Sequence, residues 1–272
     1  MTILRFAADL RSLPQPVMLV PTMGGLHEGH LSLIRAAKRH GGTAVASIFV
    51  NPTQFDDRAD FDAYQRDLDR DGELAEGAGC DVIFAPSVEQ MYPGGTEATG
   101  VHVPEVTDKW EGEHRPGHFA GVATVVSALF NVARPAKAFF GQKDWQQCVV
   151  VAKMVRDLGY PIELKFEETV REPHGLAMSS RNERLAADAR RRAAVLYTAI
   201  RKAADQFRLG GQPRAIEAST STILLQGGFE SVDYVAIVKE DTLELVDRPT
   251  GQDRVIAAAR IEGVRLIDNV RV

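Results

Sequence analysis

The sequence predicts an α/β chain, with a doubly wound parallel sheet over residues 1–174 and a smaller α+β domain over 175–272. Three observations lead there. Short β-branched runs alternate with longer segments of helical period through the first part of the chain. After His174-Gly175 that pattern gives way to two helical segments and then a cluster of strands. The length of 272 residues is long for one hydrophobic core and comfortable for two. Alternation of strand and helix implies parallel strands, because each crossover passes over a sheet face and packs a helix on it.

Taken in order, residues 17–20 read as a short apolar strand. Residues 30–39 follow as a helix, with Leu31, Ile34 and Ala37 on one stripe. Residues 43–50 form a strand apolar on both faces, as a buried parallel strand should be. A polar helix over 58–76 and a strand over 81–84 come next. Residues 119–133 place Val122, Val126, Leu129 and Ala133 on one helical stripe. Residues 136–140 are a strand and 144–158 a helix, with Gly159 as its stop. A last strand covers 162–166. Beyond the boundary, 187–208 reads as one long amphipathic helix carrying Ala189, Ala193, Leu196, Ile200, Ala203 and Phe207, and 213–226 as a second. Residues 232–238, 254–261 and 264–268 are strands.

Composition removes several classes of function. With 44% hydrophobic and 25% charged residues the chain is ordinary for a globular protein. A net charge of −5 and a pI near 5.8 offer no concentrated basic face, so no nucleic-acid partner is expected. The two cysteines, Cys80 and Cys148, lie in apolar segments and read as buried hydrophobes, not a disulfide framework. Residues 1–16 lack a basic stretch followed by an apolar core, and the longest apolar runs fall far short of the ~20 residues of a membrane helix. The expectation is a cytoplasmic protein without a membrane partner.

Chemistry concentrates first in Pro21-Thr22-Met23-Gly24-Gly25-Leu26-His27-Glu28-Gly29-His30, which leaves the first strand and opens the first helix. Two glycines permit a sharp turn and are expected to leave backbone N–H groups accessible. The helix N-terminus that follows is a ready anion site. His27 and His30, three apart, share a face and can both address a phosphate chain, donating hydrogen bonds and stabilising charge. A zinc-protease motif needs histidine at 31, where Leu31 stands. Neither a Gly-x-Gly-x-x-Gly turn nor a Walker-type lysine loop is present.

Two further segments stand out. Phe140-Gly141-Gln142-Lys143-Asp144-Trp145-Gln146-Gln147 lies at the carboxyl end of a strand, the edge where doubly wound sheets bind ligands. Lys143 can pair with phosphates, and Asp144 can cap the helix or hold a ribose hydroxyl. Taken alone, the segment reads equally well as a capped surface helix start. Leu176-Ala177-Met178-Ser179-Ser180-Arg181-Asn182, near the domain junction, is either an ordinary loop or a phosphate clamp built on an arginine fork.

Together these segments resemble the pantoate–β-alanine ligase (pantothenate synthetase) family of the nucleotidyltransferase-like superfamily. His27 to His30 stand at its HIGH signature and Met178 to Arg181 at its KMSKS-type loop. Phe49-Val50-Asn51-Pro52-Thr53-Gln54-Phe55 and Arg115-Pro116-Gly117-His118-Phe119-Ala120-Gly121-Val122 match two more hallmarks. The resemblance runs in order from Met18 to Asn182. It implies a Rossmann-like doubly wound parallel sheet and a two-step reaction. Pantoate attacks the α-phosphorus of ATP to give pantoyl-adenylate and pyrophosphate, and β-alanine then displaces AMP to form pantothenate.

The resemblance also implies roles. Met23, Gly24, Gly25, Leu26, His27, Glu28, Gly29 and His30 line the ATP site, with His27, His30, Lys143 and Arg181 as catalytic groups on the phosphates. Lys143, Ser179, Ser180 and Arg181 hold the triphosphate, Gly141 and Asp144 hold the ribose, Gln142 belongs to the same ATP site, and Val170 and Met178 lie near the adenosine. Gln54 and Gln147 bind pantoate, Gln54 also bordering β-alanine, with Asn51, Tyr64, Arg115 and His118 as further substrate-site candidates. Gln142 replaces the family's usual Glu, removing a negative charge beside Lys143, and Gly25 its usual Ala. Magnesium is expected with ATP, although no cluster of protein ligands stands out; Asp71 is the single side chain considered. A homodimer and a lid role for residues 175–272 are expected. A nucleotidyltransferase that stops at AMP transfer shares the same device. The amide-rich segments 51–55 and 141–147 favour the ligase over it, a short chain argues against a tRNA synthetase, and retention of all four phosphate groups argues against a binding-only module.

Overall fold

The computed structural model describes residues 1–55 and 58–272. The chain divides into two compact units. One comprises Met1–Gln142 with Gln146–Glu168, and the other Lys143–Trp145 with Thr169–Val272. The division thus falls after residue 168, ahead of the 174 read from the sequence. The reason is local: Arg171 pairs with Ala177 in an antiparallel bridge, and its guanidinium forks onto Asp268 at 2.6 and 2.9 Å. These contacts tie residues 169–178 to the strands that follow them in sequence.

The first unit holds a six-stranded, wholly parallel sheet ordered β1-β4-β3-β2-β5-β6. Its strands are β1 (Thr2–Leu4), β2 (Val17–Thr22), β3 (Thr43–Ile48), β4 (Val82–Phe84), β5 (Lys137–Gly141) and β6 (Glu163–Glu167). Its connections carry α1 (Ala7–Leu10), α2 (Glu28–Arg39), α3 (Arg58–Asp62), α4 (Leu68–Gly77), α5 (Val88–Met91), α6 (Glu111–His114), α7 (His118–Ala133) and α8 (Trp145–Asp157). Alternate residues of β2 serve opposite faces. Met18 and Val20 join Leu31, Leu33, Ile34 and Ala37 of α2 in one core cluster. Val17 and Leu19 are equally buried on the opposite face, and α7 packs against the same strand. Each such Val, Leu or Ile contributes roughly 1.5–3 kcal/mol of burial.

Two differences from the sequence reading arise here. The N-terminal strand β1 was not anticipated; three residues are too few for a period to show, and its partner β4 lies far along the chain. The single polar helix over 58–76 is two helices, because Asp67 interrupts it and caps the second, its Oδ1 accepting from Arg70 N at 3.0 Å.

The second unit carries α9 (Ala187–Arg192), α10 (Val195–Arg208) and α11 (Pro213–Gln226), then an antiparallel sheet of β7 (Ser231–Lys239), β8 (Asp253–Ile261) and β9 (Val264–Arg271) in that order. The one long helix expected over 187–208 is broken at Ala193 and Ala194, where Leu196 N turns back to Ala193 O in a tightened turn. Leu196, Ile200 and Phe207 of α10 pack with Leu224, Ile237, Val255 and Ile261 to form this unit's core. Among the described residues no helix is long and apolar enough to cross a membrane.

Candidate active site

The chain winds from β2 through β3 to β4 on one side and places β5 and β6 on the other, so strand order reverses between β2 and β5. The carboxyl ends at such a reversal form the ligand crevice of doubly wound sheets, because the two loops leave in opposite directions. Here those ends deliver Thr22–His27 from β2 and Gly141-Gln142 from β5, with Phe49–Phe55 leaving the adjacent β3.

The loop after β2 is bound from within. Gly24 N donates to Thr22 Oγ1 at 3.2 Å, while Gly25 N and Leu26 N donate to Asp71 Oδ2 and Oδ1, both at 2.8 Å. Gly24 and Gly25 both have positive φ, +84° and +59°. The turn they form brings the successive amides of Gly25 and Leu26 onto one carboxylate, as a backbone nest holds an anion. A Cβ on Gly24 would lie 2.9 Å from Asp71 Oδ2, so glycine is required for the close approach as well as for its φ. The expectation of accessible loop N–H groups is therefore overturned for Gly24, Gly25 and Leu26. Their donors are spent inside the protein, chiefly on Asp71. Asp71 is 1% exposed, and burial lifts its carboxyl above the ordinary range although the Leu26 and Gly25 amides pull the other way. Hydrogen bonds to a charged group contribute about 1.5–3 kcal/mol each, so the loop is firmly set.

His27 follows directly as the N-cap of α2. Its Nδ1 accepts from Gly29 N at 3.1 Å, and its carbonyl accepts from the N–H groups of His30 and Leu31. An Nδ1 acceptor leaves the ring proton on Nε2, which makes that atom the donor to a ligand. The His27 and His30 rings lie 4.1 Å apart, centroid to centroid, at 32°. Here helix capping and the pairing of two imidazoles come from one four-residue stretch. Glu28, in the same segment, turns away to a forked pair with Arg35.

A second cluster forms around Gln54. Asn51 is fully buried; its Nδ2 donates to Gln54 Oε1 and Gly121 O, both at 3.1 Å, and its Oδ1 accepts from Thr53 and from the Tyr92 hydroxyl at 2.7 Å. With Gln54 Oε1 so engaged, its Nε2 faces Met23 Sδ at 2.9 Å. A thioether is a weak acceptor, so a ligand oxygen would displace it readily. His118 Nδ1 meets Gln54 O at 2.8 Å, while Arg115 reaches both that carbonyl, at 3.3 Å, and His118 Nε2, at 3.1 Å. Because arginine only donates, His118 Nε2 accepts and Nδ1 carries the proton. Tyr64, expected at the substrate, has its hydroxyl 3.4 Å from Gly24 O and so also buttresses the loop after β2. The close approach of α7 needs Gly121, since a Cβ there would meet Thr53 O at 2.4 Å. Tyr92 and Gly121 are contributors that sequence reasoning left without a role, and Asp71, named there only for magnesium, instead holds the loop amides.

At the end of β5, Gln142 donates to Phe166 O at 3.0 Å, and Gln147 lies half-buried on the first turn of α8. In the second unit Lys143 Nζ lies 3.3 Å from Asp144 Oδ1, and its carbonyl accepts from Asn269 Nδ2 at 2.9 Å. Trp145 donates to Glu240 O at 2.9 Å under the Arg254 guanidinium. Met178 N donates to Val170 O at 3.0 Å, joining the two residues expected near the adenosine. Ser179 Oγ accepts from Arg181 N at 3.3 Å at the start of the turn that carries Ser180 and Arg181. That turn is anchored by Asn182, which donates to Glu172 Oε1 at 2.8 Å and to Ala177 O at 3.0 Å. Burial alone would raise the Glu172 carboxyl, but hydrogen bonds from Arg190 and Asn182 outweigh it and hold it below its ordinary value.

The family model described as pantoate-beta-alanine ligase matches residues 2–271. The chain belongs to the pantoate–β-alanine ligase family. It is 47% identical to the pantothenate synthetase of Cereibacter sphaeroides over 97% of this chain and 95% of that protein. It is 48% identical to that of Moorella thermoacetica over 97% and 94%. The crystal structure of pantothenate synthetase from Thermus thermophilus superposes with a TM-score of 0.94 at 46% identity, covering 100% of this chain and 99% of the other. That of pantoate-beta-alanine ligase from Francisella tularensis, complexed with beta-gamma ATP and beta-alanine, gives 0.83 at 30% identity over 100% and 97%. Both the expected family and the α/β architecture with its small C-terminal sheet stand. As a pantoate–β-alanine ligase, the chain joins the two substrates that the family name states.

Proposed function

We propose that this ligase works through a pantoyl-adenylate formed from ATP. A carboxylate oxygen of pantoate attacks the α-phosphorus, and the bond to the bridging oxygen breaks with its electron pair leaving on pyrophosphate. The neutral amine of β-alanine then attacks the acyl carbon. The acyl–oxygen bond to AMP breaks, AMP leaves as a phosphate anion, and the nitrogen sheds a proton. Activation is needed because a carboxylate does not acylate an amine, whereas a mixed anhydride offers a stable leaving group.

The observation that carries this reading is the joining, through Met23, of two clusters of different chemistry at one sheet edge. His27 and His30 are stacked with His27 Nε2 as a donor, and Gln54 is oriented by Asn51 with its Nε2 on a sulfur that a ligand oxygen can replace. The histidines would meet the phosphates and stabilise charge as the α-phosphorus is attacked. Gln54 and Gln147 would hold pantoate, Lys143, Ser179, Ser180 and Arg181 the triphosphate, Gly141 and Asp144 the ribose, and Val170 and Met178 the adenosine. Magnesium would enter as part of the nucleotide complex. No cluster of acidic or histidine ligands for it occurs among the described residues, and Asp71 is committed to two amides.

The test is pyrophosphate release from magnesium-ATP with and without pantoate and β-alanine. Release should require pantoate, AMP and pantothenate should appear together once β-alanine is added, and His30→Ala should lower kcat by about 10²–10³. Pantoate-independent release at the same rate would remove the adenylate.

A further inference from the structure

We infer that Asp71 is a positioning residue for the ligation. It acts as a built-in anion that fills the backbone nest at Gly25 and Leu26 and thereby sets Met23 and His27 on either side of the turn. This inference rests on the histidine reading above.

Three observations support it. First, the tight turn at Gly24-Gly25, both at positive φ, brings the successive amides of Gly25 and Leu26 onto one group, and convergent turn amides elsewhere receive a phosphate or another anion. Here that point is occupied by a carboxylate from α4, each oxygen taking one amide at 2.8 Å. Second, the fit is enforced: a Cβ at Gly24 would lie 2.9 Å from Asp71 Oδ2, and Tyr64 holds the Gly24 carbonyl from another direction. Third, the held segment leads straight into both halves of the site. Met23 precedes the turn and receives Gln54 Nε2, and His27 follows Leu26 and caps α2 against His30. Residues 24–26 are thus a rigid connector whose shape depends on a charge supplied by a residue remote in sequence. A displacement of about 1 Å in a reacting group can lower a rate by about 10².

The nest geometry offers a test that a merely space-filling role does not share. Asp71→Ala leaves two convergent amides facing a void of carboxylate shape, so added formate should reoccupy it. Asp71→Asn keeps the volume but turns a donor toward one amide. In the full-length enzyme, Asp71→Asn should lower kcat about 10²-fold with KM for ATP changed much less, and should shift the ¹⁵N resonances of His27. Formate should restore activity to Asp71→Ala by tenfold or more while restoring none to His30→Ala. A folded Asp71→Asn with wild-type kcat overturns the inference. So does loss of activity in both variants with His27 resonances unmoved and no response to formate. If Asp71→Ala fails to fold, Asp71→Asn decides through its kcat and spectra. A fully active His30→Ala would instead overturn the histidine reading, a result distinguishable because the His27 spectra report the connector without turnover.

Discussion

At the scale of single residues, the site is notable for side chains with two structural duties. His27 caps α2 through Nδ1 and carries its proton on Nε2, so its structural bond fixes the tautomer that the proposed phosphate contact would need. The two duties separate by substitution. Asn is a strong N-cap and Ala is not, a difference of about 1 kcal/mol. His27→Ala should therefore lower both kcat and the melting temperature, the latter by about 2–4 °C. His27→Asn should lower kcat similarly while melting near the wild type, as read by paired turnover and calorimetry. Equal melting temperatures for the two variants would mean the cap carries nothing. Asn51 shows the same economy: one buried amide orients Gln54, holds the Gly121 carbonyl and receives the Tyr92 hydroxyl.

At the scale of elements, loops are fixed by groups brought from elsewhere in the fold. The turn over Ser180–Arg184 depends on Asn182, which hangs on Glu172, which in turn is paired with Arg190 of α9. Because these partners hold the Glu172 carboxyl below its ordinary value of 4.5, ionised Glu172 favours the folded state. That stability is complete above the ordinary value and is lost as pH falls through it toward the folded one. Thermal melts of wild type and Glu172→Gln should thus differ fully at pH 6–7, by about 1–3 kcal/mol, and converge as the pH drops below about 4.5. A gap that widens on acidification would reverse the assignment.

At the scale of the whole molecule, the two units each own a core, and each contains one tryptophan: Trp110 in the first and Trp145 in the second. Phe207 is completely buried in the second core. Phe207→Ala should cost about 3–5 kcal/mol. In urea titrations of single-tryptophan versions, the transition reported by Trp145 should move further than the one reported by Trp110. Equal shifts would show that the units unfold as one cooperative body.

Much of this was legible in the sequence. Strand and helix alternation, the core stripes of α2, α7 and α10, and the motif segments all follow from local periodicity and composition, which a chain carries wherever it folds. The closeness of His27 and His30 was legible in their spacing, but not for the helical reason: His27 stands outside α2 as its extended N-cap and meets His30 from there. A tertiary signal for Asp71 was partly present. Leu68, Asp71, Gly72 and Ala75 share one face of α4, and a carboxylate on a stripe otherwise apolar asks for a buried partner. The identity of that partner could not be read, since nothing local connects residue 71 to residues 25 and 26. Strand β1, the break inside 187–208 and the capture of the loop amides were likewise decided only by tertiary structure, whereas the break inside 58–76 has a local mark in the Asp67 cap. Periodicity reports which face of a segment avoids water; which buried donor meets which buried acceptor is set when distant segments compete to satisfy one another.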